Sequence, residues 1–296
     1  MSTKNRANVR FLLEISCPVD YPASMTGLEN WVHAAGGTGI MEILVCIKQV
    51  PDNEGTVAFN DTGTWITSGG AFRMNRFDEF ALEEAVRIGE EIPGTEIEAI
   101  SVGPGRVVST LRKALERGAV AGTHILLEKE RYMSPFATAS LIASYAGTGH
   151  YDLIIAGVMA EDDMHCQVGQ MIAAILGIRC ATSVIHRGTI REEASVYIER
   201  EIEEGQRLCQ EVTLPTVLTV QSGINRPRYP SLSNILRAKN QEIRTIDAND
   251  LWDDDGRDQL ISMRRPEASA RGVFLEGGSD EKARALIRIL HERALI

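Results

Sequence analysis

Several kinds of chemistry are missing from this chain. No CxxC pair occurs, and the five cysteines (Cys17, Cys46, Cys166, Cys180, Cys209) are odd in number and far apart. They suggest neither a disulfide framework nor a zinc site, and a reducing, cytoplasmic compartment fits them best. No apolar run approaches the length of a membrane span, so no direct membrane insertion is expected. GxxxxGK[ST], GxSxG and HExxH are absent. P-loop phosphotransfer, the hydrolase elbow and the zinc-protease helix are thereby removed. Gly103-Pro104-Gly105 is not completed to GxGxxG. Positive charge is the scarcer sign, with 31 Lys and Arg against 41 Asp and Glu and a net charge of −10. Such a chain is not built to hold a nucleic-acid backbone. The six histidines are scattered, and no metal is expected.

What is present is ordinary globular material, 44% hydrophobic and 24% charged over 296 residues. That length suits one large domain or two small ones. Residues 1–40 have no signal-peptide core and no clear period. Met41 then opens a clean strand. Residues 1–40 are expected either to be upstream translation before a natural start at Met41, or to be a poorly ordered extension. From Met41 short apolar runs alternate with helical patterns. Strands are expected at 42–47, 96–102, 123–127, 152–156 and 217–220, rich in Ile, Val and Leu as strands buried on both faces are. Helices are expected near 77–92, 106–117, 135–147 and 168–176, the first with Asn75 as cap. This alternation predicts an α/β fold, a doubly wound, mostly parallel, Rossmann-like sheet. Two β-hairpin insertions are expected, at 56–67 and at 194–213 with a turn at Glu204-Gly205. The nucleotide-binding domain is expected to run over 41–238. An extended arm over 239–296 ends in an amphipathic helix near 279–293. Glu83-Glu84 and Glu90-Glu91 read as the solvated face of a helix.

The run from Gly223 to Lys239 is a proline-punctuated loop turning into a helix. Pro227 and Pro230 forbid continuous helix or central strand. Ser231 or Ser233 can cap a helix whose apolar positions are Leu232, Ile235 and Leu236. Two readings stand, a fixed crossover and a docking loop that costs little entropy to order against a partner.

Open parallel sheets bind ligands beyond the carboxyl ends of their strands. After strand 152–156 comes Gly157-Val158-Met159-Ala160-Glu161-Asp162-Asp163-Met164-His165-Cys166-Gln167-Val168-Gly169-Gln170, a loop feeding a helix. A phosphate fits the amino end of that helix. The three carboxylates could accept hydrogen bonds from ribose hydroxyls or hold the loop in shape. A plain solvated loop is the competing reading, and no catalytic constellation is assembled.

At this point the residues resemble a family. Ile43-Leu44-Val45-Cys46-Ile47-Lys48-Gln49-Val50-Pro51-Asp52 looks like the first strand and turn of the electron transfer flavoprotein beta subunits, whose bacterial relatives include the FixA-type proteins. Asn75-Arg76-Phe77-Asp78-Glu79-Phe80-Ala81-Leu82-Glu83-Glu84-Ala85 resembles the family's N-P-F-D-E-x-A-L-E-E-A run, with Arg76 at the proline. Leu214-Pro215, Thr219-Val220 and Gly223-Ile224-Asn225 through Lys239 are similar to its long signature. The resemblance covers residues 41–296.

The resemblance implies a subunit. Its alpha-subunit partner would hold the redox FAD, with this chain forming one wall of that site. The chain would bind its own nucleotide, AMP or a second FAD, through Cys46, Asn75, Arg76, Phe77, Asp78, Val102 and the loop Gly157, Val158, Met159, Ala160, Glu161, Asp162, Asp163, Met164, His165, Cys166, Gln167 and Val168. Met164, His165 and Cys166 depart from the family pattern and leave AMP versus FAD open. Leu232, with Arg237 nearby, would dock an acyl-CoA dehydrogenase, and electrons would pass to a quinone oxidoreductase or another acceptor. Arg237 and Asn240 replace family lysines. Glu201 would contact the alpha subunit. Two alternatives stand beside this carrier: an electron-bifurcating, NADH-linked complex with FAD in the beta site, and a stand-alone nucleotide-binding regulator.

Overall fold

The computed structural model describes residues 40–52, 58–59, 66–67, 71–128, 131–191, 194–251, 260–261 and 272–296. The expectation for residues 1–40 falls almost wholly outside them. The first strand, β1 (Glu42–Cys46), lies at the middle of a nine-stranded sheet. A short ribbon follows, β2 (Gln49–Pro51) paired antiparallel with β5 (Phe72–Met74). Within it sits the first expected hairpin, β3 (Ala58–Phe59) against β4 (Ile66–Thr67); its turn lies outside the described residues. Then come α1 (Arg76–Glu91), β6 (Glu96–Gly103), α2 (Val108–Arg117), β7 (Ala121–Leu126), α3 (Pro135–Ala146), β8 (Leu153–Gly157) and α4 (Val168–Leu176). The second half adds β9 (Arg179–Arg191), β10 (Ser195–Glu201), β11 (Arg207–Thr213), β12 (Thr216–Val220), α5 (Leu232–Asn240), β13 (Arg244–Asp247) and α6 (Ser279–Glu292).

The sheet order is β11-β10-β9-β12-β8-β1-β6-β7-β13. Every pairing from β9 to β13 in this order is parallel, and only β10, antiparallel to both β9 and β11, runs against the rest. The expected doubly wound sheet is therefore present. Its central strands are buried on both faces, which explains their unbroken apolar runs. Ile43 and Val45 of β1 point into one core with Leu82, Ile88 and Leu111 of α1 and α2. Leu44 and Cys46 point into the other, with Leu141 of α3 and Ile172 of α4. Each such Leu or Ile, fully buried, contributes about 1.5–3 kcal/mol.

Four strands lie outside the expected set: β2 and β5 of the ribbon, β9 and β13. The long β9 carries Ser183 at a positive φ and a register shift against β12, which breaks any simple alternation. The arm expected from residue 239 opens by adding β13 to the sheet edge beside β7. The acidic face expected on α1 is corrected at Glu83 and Glu84, while Glu90 and Glu91 are exposed as expected. Glu83 and Glu84 are 7% and 1% exposed. Glu84 Oε1 accepts from Nε of buried Arg187 at 2.7 Å, and Glu83 Oε1 from Arg228 Nη2 at 2.9 Å. Partners more than a hundred residues away in sequence bury these carboxylates, so local periodicity carries no sign of it.

Candidate functional site

The chain runs outward from β1 through β6 and β7, then returns to β8 on the other side of β1. That reversal opens a crevice beyond the carboxyl ends of β1 and β8. A cavity of about 420 Å³ lies there. Its floor is built from strand ends: Cys46, Val102, Ala156 and Gly157.

Asp78, in the first turn of α1, ties the two strand ends together. Its Oδ2 accepts from the Lys48 amide at 2.7 Å and its Oδ1 from the Gly157 amide at 3.1 Å. Burial pushes the Asp78 carboxyl up to about 7, against the pull of these bonds. A β-carbon on Gly157 would stand 2.5 Å from Asp78 Oδ1 and 2.6 Å from Phe77 Cβ, so only glycine lets α1 approach this closely. Asn75 occupies the cap position of α1 without capping it. Its side chain donates to the Met159 carbonyl at 2.9 Å and accepts from the Glu161 amide at 3.1 Å. Glu161 takes over at the helix end: its Oε2 accepts from the Arg76 amide at 3.0 Å and from Arg73 at 2.7 Å. Burial works against the Glu161 charge, yet these partners hold its carboxyl below the usual range.

The other two carboxylates of the loop also hold its shape. Lys48 Nζ donates to Asp162 Oδ1 and Asp163 Oδ2, each at 2.7 Å. Burial would lower the Lys48 ammonium, but the pair of carboxylates outweighs it and raises it. Met164 and Cys166 both stand at φ 54, uncommon for residues with a side chain. The loop then enters α4, whose cap position, Gln167, makes no side-chain cap bond and whose first turn carries no acidic residue. The first amides of α4 have no partner inside the helix. Gln167, Val168 and Gly169 line the cavity, as do Lys48, Arg106 and Arg131. The Arg106 guanidinium lies 3.8 Å over the Phe72 ring. The Cys46 thiol is buried, and that burial, with the Asp78 charge, pushes its pKa up. It stays protonated at neutral pH and serves as wall.

Most of the expected cofactor residues thus meet at one place. Cys46, Asn75, Asp78, Val102, Val158, Met159, Ala160, Asp162, Asp163, His165 and Cys166 all line the cavity. Arg76, Phe77, Glu161 and Met164 do not: the first three brace the junction of α1 with the loop, and Met164 is 64% exposed. Lys48, Phe72, Arg106 and Arg131 were not among the expected residues. Lys48 was findable, because it immediately follows a central parallel strand.

The remaining expected residues lie on other parts of the surface. Glu201 is exposed at the end of β10 and accepts from Gln221 Nε2 at 3.0 Å. Ser231 caps α5, its Oγ accepting from the Asn234 amide at 3.2 Å. Leu232 is 72% exposed and Leu236 60%. Arg237, expected at the docking face, turns Nη2 back onto its own fold, donating to the carbonyls of Leu115 at 2.7 Å and Ala119 at 3.1 Å. Those two bonds give Arg237 a structural task. Among the described residues no helix is long and apolar enough to cross a membrane, and no metal-binding cluster occurs.

The electron transfer flavoprotein domain model matches residues 62–251. "Electron transfer flavoprotein subunit beta, mitochondrial" of Arabidopsis thaliana is 35% identical over 237 residues, 79% of this chain and 93% of that protein. The "Electron transfer flavoprotein subunit beta" of Homo sapiens is 34% identical over 245 residues, covering 81% and 94%. That of Bacillus subtilis is 30% identical over 261 residues, covering 86% of this chain and all of its own length. The chain belongs to the electron transfer flavoprotein family, and these relatives are its beta subunits.

Proposed function

We propose that this chain is the beta subunit of a heterodimeric electron transfer flavoprotein. It holds AMP or a second FAD in the cavity beyond β1 and β8, and it forms one wall of the redox FAD site of an alpha subunit. It docks an acyl-CoA-type dehydrogenase, whose electrons leave for a quinone oxidoreductase or another acceptor. The observation that carries the nucleotide reading is the uncapped amino end of α4 opening into the cavity. Unpaired amides and the positive end of the helix dipole favour a phosphate there. The cavity fits such a group: cations line it, and Gly157 keeps its floor free of a side chain.

The redox FAD, when bound in the alpha subunit, supplies the electron-accepting chemistry. This chain's residues do the positioning. Asp78 and Asn75 fix the loop from Gly157 to Glu161. Lys48 fixes Asp162 and Asp163. Glu201 offers an exposed carboxylate to the alpha subunit. Leu232 offers an exposed apolar anchor to the dehydrogenase. Cys46, Cys166, Cys180 and Cys209 are free thiols, which supports a reducing compartment such as the cytoplasm.

Denaturing the native heterodimer and identifying the released nucleotides tests the reading. AMP plus one flavin per heterodimer is the expected product of a simple carrier. Two flavins, with NADH oxidation, would make the complex bifurcating. A homodimer that binds ATP and brings down no flavin-bearing partner would replace the subunit reading with a stand-alone regulator.

A further inference from the structure

The helix that carries Leu232 is weakly embedded. Of the nine residues of α5, only Ala238 is buried. Leu232, Ile235 and Leu236 are 72%, 37% and 60% exposed. Hydrophobic burial therefore does little to fix this helix. Its attachment is polar and reciprocal. Arg112 of α2 donates through Nη1 to the carbonyls of Ala238 and Gln241, at the carboxyl end of α5. Arg237 of α5 donates through Nη2 to the carbonyls of Leu115 and Ala119, at the carboxyl end of α2. Gln241 Nε2 adds a bond to the Val120 carbonyl. Each helix thus puts a cation on the other's negative end, where the Leu115 and Ala238 carbonyls have only a long cap bond of 3.3 Å besides.

We propose that Arg112 and Arg237 are positioning residues for partner docking: their crossed bonds hold α5 so that the Leu232 face is presented already ordered. This rests on the docking reading above. A helix that must be ordered on encounter loses part of its binding energy to that ordering. Removing the clamp therefore weakens encounter and leaves electron transfer within the docked complex alone.

The test titrates the native heterodimer against a reduced acyl-CoA dehydrogenase in stopped flow. Arg112→Ala is expected to raise the half-saturating dehydrogenase concentration about five- to tenfold with the limiting rate unchanged. In a Leu232→Ala background the same change should add less than about twofold, because the clamp acts through that face. Arg112→Lys should restore most of the affinity, since one nitrogen makes both bonds and an ammonium can do the same. A merely destabilising change would lower the melting temperature without this dependence on Leu232. Half-saturation untouched by Arg112→Ala but raised by Leu232→Ala would overturn the clamp and leave docking standing. Full additivity of the two changes would also overturn it. Leu232→Ala without effect would overturn the docking reading itself, and the clamp with it.

Discussion

Asp78 shows how much one buried side chain can carry. It is 5% exposed, yet it accepts amides from two strand ends. Its carboxyl releases its proton at about 7 in the fold against an ordinary 3.8. Between those values the folded protein holds a proton that the unfolded chain has lost. The contribution of Asp78 to stability therefore falls as pH rises through that window, and its whole cost is present above about 7. Denaturant midpoints measured across the window should show this decline, and Asp78→Asn should flatten it. The same variant should cost about 1–3 kcal/mol, because one of the two amides loses its acceptor. An unchanged slope in Asp78→Asn would assign the titration to another group. At this scale the sequence was partly legible. Asp78 and Asn75 could be placed at the site because a motif holds them beside a strand end. The partners of Lys48 could not, since Asp162 and Asp163 are more than a hundred residues away.

Among the elements, α1 does the most. Its first turn holds the cavity loop, and its middle and end hold Arg187, Asn225 and Arg228. Arg187 and Glu84 form a pair with both side chains 2% exposed. Arg187→Met should destabilise by about 3 kcal/mol, because the buried Glu84 carboxylate keeps Arg87 and Asn225 on Oε2 but loses its buried cation at Oε1. Arg207→Met should stay within about 1 kcal/mol, because Arg207 meets Glu199 with a side chain 62% exposed. Equal losses in urea melts would contradict the burial argument. Elements buried on both faces were readable from their unbroken Ile, Val and Leu. The hairpin strands β10 and β11 were readable too, but two others were not: β13 pairs on one side only, and β9 mixes polar residues with a shift in register. Their place is set by the neighbours they meet, which no local pattern encodes.

For the molecule as a whole, the parallel sheet and the terminal helix make opposite demands. The sheet buries its apolar side chains on two faces. The α6 helix has no buried residue, and Leu286 and Ile287 on it are 48% and 51% exposed. Deleting residues 279–296 should leave the denaturant midpoint of the sheet unchanged while weakening assembly with the alpha subunit. A melt that shifts with the deletion would show that α6 stabilises this chain instead. The amphipathic pattern of α6 was plain in sequence; that none of its residues is buried by the described residues needed the structure.

The loops at 157–161 and 225–228 are far apart in sequence but hang from the same helix. The Gly157 amide donates to Asp78 and the Arg228 amide to Glu83, both at 3.1 Å, and both carboxylates belong to α1. Neither bond survives if α1 lets go. In native-state hydrogen exchange the two amides should therefore open with one shared free energy. Ala81→Gly, between Asp78 and Glu83 on the helix, removes a buried methyl and weakens the helix itself by roughly 0.5–1 kcal/mol, and should lower both protections together. The cavity and the approach to α5 are expected in that sense to form one cooperative unit, melting and re-forming as a single event.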